Sequence, residues 1–115
     1  MKKDPLIFIK HILDSINKIE SFSKNISKDE LSINELKQYA IIKRIEIIGE
    51  ACKNLPESFK NKYQFVSWKE IISTRNKMIH HYFGVDLNIV WGIIKYDIPL
   101  FKEQILKIKK SLWLT

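Results

Sequence analysis

The sequence predicts an all-α fold, an antiparallel bundle of four to five helices. Three observations carry this. Apolar residues recur every three or four positions over long stretches, the spacing of amphipathic helices. Helix-start signals stand before these stretches. Only three glycines and three prolines occur in 115 residues, too few for an architecture of tight-turned strands.

Asp4-Pro5 is an N-cap followed by proline at the first helical position, which opens a helix whose apolar face is Leu6, Ile9, Ile12, Leu13, Ile16 and Ile19. The polar stretch "SKNISKDE" ends it. Ser32 with Glu35 reads as a capping box for a long helix over 32–55, stopped before Pro56. Pro56 opens a short turn, "PESFKNKY". Ser67 with Glu70 reads as a second capping box, for a helix running through "WKEIISTRNKMIHHY" until Gly84 breaks it. Asp86 caps a last helix from Leu87 into the Lys-rich C-terminal end, where cations suit a helix terminus. Pro99 removes one of its backbone N–H groups, and a kink is expected there. Short connections between long helices make neighbours antiparallel. The last helix carries Val90, Trp91, Ile93, Ile94, Ile98, Leu100 and Phe101 over more than one face, which favours a homodimer.

The length fits one domain spanning 1–115. An apolar fraction of 45% and a charged fraction of 29% are those of an ordinary soluble globular chain. The net charge of +7 points toward a polyanionic partner. Abundant Ile, Lys and Asn suggest an AT-rich coding sequence, which weakens that inference. Cys52 is the single cysteine, so no disulfide closes within the chain and no zinc site of ordinary spacing exists. No metal and no cofactor are expected. Lys10, His11 and Asp14 interrupt the N-terminal apolar run, so no cleaved leader is expected; nor is a membrane span. A cytoplasmic setting fits.

The scarce residues gather in "RNKMIHHYF", residues 75–83. Two of the three histidines and one of the two arginines lie there. On a helical wheel of about 100° per residue, Arg75 falls within the stripe of Trp68, Ile71, Ile72, Met78, Ile79 and Tyr82. Arg44 falls within that of Ile41, Ile45, Ile48, Ala51, Cys52 and Leu55. An arginine keeps its charge, so each needs a carboxylate, an anion or a water-filled cleft. For Arg44 a structural pair with Glu46 or Glu50 is expected. For Arg75 a functional role is expected, because His80 is close.

On an ideal helix His80 lies about 140° around from Arg75. The two converge only if the helix frays near His80 or if they meet across a dimer axis. Asn76 and His80, four apart, share a face, so Asn76 can orient the imidazole or hold a phosphate oxygen. Histidine is the natural proton-transfer group at neutral pH. His81 is expected to be exposed. Tyr82 reads from the wheel as a core tyrosine with a solvated hydroxyl.

The set Arg75, Asn76, His80 and Tyr82 in "RNKMIHHY" resembles the Arg-x4-His-x-Tyr motif of the HEPN ribonuclease toxins. The nearest type is HepT, found beside a minimal nucleotidyltransferase antitoxin. "RIEIIGEACKNLP" (44–56), "VSWKEIISTRN" (66–76) and "YFGVDLNIVWGIIKYDIPLF" (82–101) resemble the segments around that motif. Ser73-Thr74 departs from the small apolar or Gly residues usual before Arg-Asn, outside the motif itself.

The resemblance implies a HEPN bundle that dimerises with the two motifs facing each other across a cleft. It implies metal-independent cleavage of RNA, either mRNA or tRNA, as the toxin of a type VII toxin–antitoxin pair. Arg75 and His80 would be catalytic and Asn76 supporting. The antitoxin would silence the toxin by adding AMP to Tyr82. From a different class, the same residues would suit a non-catalytic helical module that binds a nucleotide or a protein partner.

Overall fold

The computed structural model describes residues 4–80 and 84–114, save the side chains of Arg75, Ile79, His80, Trp113 and Leu114. Helix α1 spans Pro5–Ser23 and starts as its sequence dictates: the Asp4 side chain accepts from the Leu6 N–H, with Pro5 in the first turn. Its buried face is Ile9, Ile12, Leu13, Ile16 and Ile19. The chain turns through Asn25, whose φ of 59° lies in the left-handed region that asparagine tolerates.

The capping box falls one element earlier than expected. It joins Ser27 and Glu30 at the start of a short helix α2, Lys28–Ser32. Helix α3, Glu35–Asn54, is capped by Asn34, which accepts from the Lys37 N–H at 3.0 Å. Ser32 cannot serve as that cap because it is itself the last residue of α2. Pro56 stands at the N-cap of α4, Glu57–Lys62.

Helix α5 spans Trp68–Met78, four residues short of the expected end at Tyr82. Ile79–His80 forms a strand, β1, paired antiparallel with β2, Gly84–Val85, in the register Ile79↔Val85 and His80↔Gly84. Part of the reason is local. From Ile79 to Phe83 the chain is β-branched, imidazole or aromatic at every position, a run without one strong helix former, whereas α3 intersperses Glu, Leu, Lys, Gln, Ala and Arg. Met78 O then accepts from the Asp86 N–H at 2.7 Å in place of a helical partner.

Asp86 caps α6, Leu87–Gly92, accepting from the Ile89 N–H at 3.2 Å. The kink expected at Pro99 is a π-helical turn, Ile93–Asp97, closed by Ile98 N–H donating to Ile93 O. Pro99 then lies in the first turn of α7, Ile98–Leu114, where a missing N–H is harmless.

Helix α1 packs on α3 and α7, and α3 packs on α5, which meets α6. Isoleucine dominates the shared core: Ile9, Ile12, Ile16, Ile19, Ile41, Ile105 and Ile108 are all below 1% exposed. Phe59, Tyr63, Trp68 and Phe101 form a ring cluster joining α4, α5 and α7, in which Trp68 Nε1 donates to Tyr63 O at 3.0 Å. Of the apolar residues that suggested a second interface on the last helix, most are used within the chain. Val90, Ile93, Ile94, Ile98 and Phe101 are buried, Trp91 is partly so, and Leu100 is exposed.

Candidate active site

The last turn of α5 carries Arg75 and the exposed Asn76. His80 follows in β1, two residues past the helix end. The wheel relation of Arg75 to His80 therefore does not apply, and Asn76 and His80 are not stacked along one helix face. The helix does stop before His80, the condition under which Arg75 and His80 were expected to converge. The Arg75 and His80 side chains lie outside the described residues, as do His81 and Tyr82 altogether.

The hairpin is tied at its base. Met78 has no exposed surface and anchors the end of α5 in the core. Val85 and Leu87 pack against that core from the other side. Between them lies the Asp86 N–H to Met78 O bond. Gly84 has φ +75°, a left-handed conformation that side chains disfavour.

A groove of about 380 Å³ runs along α5. Ile45 and Ile48 of α3, Ile71, Thr74 and Lys77 of α5, and Ile89 of α6 line it. Tyr96 and Leu100 stand at the same groove, 77% and 57% exposed. Nothing in the sequence singled out Tyr96. Its exposure depends on the π-helical turn, which shifts the face each residue presents. Gly84 and Asp86 were readable as a breaker and a cap, but the helix drawn through Tyr82 concealed their part in a hairpin.

The ion pair described for Arg44 is with Asp14 of α1, its Nη1 lying 3.6 Å from Oδ2, where a pair with Glu46 or Glu50 of its own helix was expected. Residues two apart on a helix point different ways, and six apart is beyond one turn. With Asp14 58% exposed, the pair contributes at most about 1 kcal/mol. Arg44 thus holds α3 to α1 and is no part of the motif. Cys52 is fully buried, and burial pushes its thiol up to about 12, opposed only in part by the Lys60 charge. Such a thiol is inert as a nucleophile at neutral pH. No described helix is long and apolar enough to cross a membrane.

The Ribonuclease HepT-like family model matches residues 12–108. A Methanocaldococcus jannaschii protein, named as a gamma-glutamylcyclotransferase and provisionally as an RNase, is 48% identical over 112 residues. That match covers 97% of this chain but 50% of the relative, so the chain spans only half of that protein. A second protein of the same organism, named provisionally as an RNase, is 39% identical over 90% of this chain and 95% of its own length. A Thermococcus cleftensis protein, named provisionally as ribonuclease HepT, is 37% identical over 96% of this chain and all of its own length. No solved structure matches. The chain belongs to the HepT-like ribonuclease family, and its fold is an all-α HEPN bundle.

Proposed function

We propose that residues 1–115 form one HEPN domain acting as a metal-independent endoribonuclease, the toxin of a type VII toxin–antitoxin pair. The observation that carries this reading is the closeness along the backbone of Arg75 and Asn76, on the last turn of α5, to His80, two residues beyond it. Membership of the HepT-like ribonuclease family supports it.

RNA brings its own nucleophile. The 2′-oxygen attacks the neighbouring phosphorus while the bond to the 5′-oxygen breaks. One His80 takes the 2′-OH proton, and the His80 of a second copy gives a proton to the departing 5′-oxygen. Arg75 stabilises the charge that grows on the non-bridging oxygens. Asn76 holds the phosphate in line. The products are a 2′,3′-cyclic phosphate and a 5′-hydroxyl. DNA has no 2′-OH and resists. The division of labour requires a homodimer, and the groove beside α5, with Tyr96 and Leu100 exposed along it, is the face suited to a second copy. A nucleotidyltransferase antitoxin adds AMP to Tyr82, and the adduct competes with RNA phosphates for Arg75.

The test incubates the purified protein with single-stranded RNA and with tRNA in EDTA, beside His80→Ala. Cleavage by the wild type alone, leaving cyclic phosphate ends, is expected. Equal cleavage by His80→Ala would remove His80 from the mechanism. Loss of wild-type cleavage in EDTA that returned with a divalent ion would remove metal independence.

A further inference from the structure

We propose that Gly84 is a positioning residue for the ribonuclease chemistry: its left-handed backbone sets the hairpin register that presents His80. This rests on the reading of His80 given above.

Among the described residues the hairpin has two rungs, and one of them pairs His80 with Gly84. Its two flanks are anchored. On one side Met78 is fully buried at the end of α5. On the other, Val85 packs against the core and Asp86 is held twice, by its N–H to Met78 O and by its carboxylate to the Ile89 N–H. The φ of +75° at Gly84 is a conformation that L-residues disfavour, asparagine least among them.

Beyond its chain neighbours, a Cβ added at position 84 finds no atom of the described residues within 4 Å, and the residue is exposed. Among the described residues a Cβ there displaces no packing. Its effect there is on the backbone angle. Since the flanks are held, a changed angle alters the His80–Gly84 rung and leaves the helical core as it was. Gly84 thus acts on the reaction through His80 without touching RNA.

The experiment compares Gly84→Val and Gly84→Asn with wild type and His80→Ala on one single-stranded RNA oligonucleotide, measuring kcat, KM and melting temperature. Gly84→Val is expected to lose roughly tenfold or more in kcat, the scale of a disfavoured left-handed residue, with KM and melting temperature near wild type. Gly84→Asn is expected to recover most of kcat. A wild-type kcat for Gly84→Val would overturn the inference. So would equal losses in the two variants, or losses that track melting temperature, since each would show that the backbone angle is not the cause. If His80→Ala itself cleaved as wild type, the ribonuclease role of His80 would fail first, whatever Gly84 does.

Discussion

Two buried residues make opposite predictions. The Ser15 hydroxyl is fully buried, and no hydrogen-bond partner is found for it among the described residues. Ser15→Ala removes that unpaired group and adds a better helix former, so stability should rise by about 1 kcal/mol or more. For a domain of this size the melting temperature should climb by roughly 4 °C; a fall would mean the hydroxyl is satisfied. Cys52 is the reverse case. Its thiol ionises near 9.0 when unfolded and near 12 when folded. The folded state therefore keeps a proton that the unfolded state releases. The stability Cys52 contributes is intact below pH 9 and is lost as the pH rises toward 12. Melting curves of wild type and Cys52→Ala between pH 8 and 10.5 should converge with rising pH. Parallel curves would show an ordinary thiol. At this scale the motif was legible: Arg75, Asn76, His80 and Tyr82 are a spacing, and a spacing needs no structure. The Asp14 partner of Arg44 was not, because a contact between helices depends on their packing.

Among the elements, the helix starts at Asp4, Pro56 and Asp86 were readable, since a cap and its first turn are adjacent in sequence. The ends were harder. Ser32 and Asn34 are both good caps, and what separates them is whether a short helix precedes, which the Ser27–Glu30 box decides. The end of α5 was set by a bond between Met78 and Asp86, eight residues apart, that no periodicity reveals. Asp86 thus holds both α6 and the hairpin. Asp86→Ala should cost about 1 kcal/mol or more from the lost cap alone. The backbone N–H that donates to Met78 O survives this substitution, so RNA cleavage should be unaltered at a temperature where the variant is fully folded. Depressed cleavage by the fully folded variant would show that the carboxylate supports the hairpin as well as α6.

For the molecule as a whole, the bundle was legible from the repeating apolar faces, and the homodimer remains the part proposed from one groove. Leu100 is 57% exposed, so Leu100→Glu should leave the melting temperature of a dilute sample almost unchanged. At concentrations where the wild type sediments as a dimer, it should sediment as a monomer and lose cleavage. A dimer that survived Leu100→Glu would direct attention to another face. The π-helical turn sets what this architecture tolerates. It holds one more residue than an α-helical turn would over the same arc. Deleting one of the exposed residues 95–97 would restore α-helical hydrogen bonding there and keep α7 in phase with α6. Phe101, Ile105 and Ile108 would stay in the core. A single lost codon in this stretch would therefore do less damage than the same loss in the middle of α7, where every later side chain would turn by about 100°.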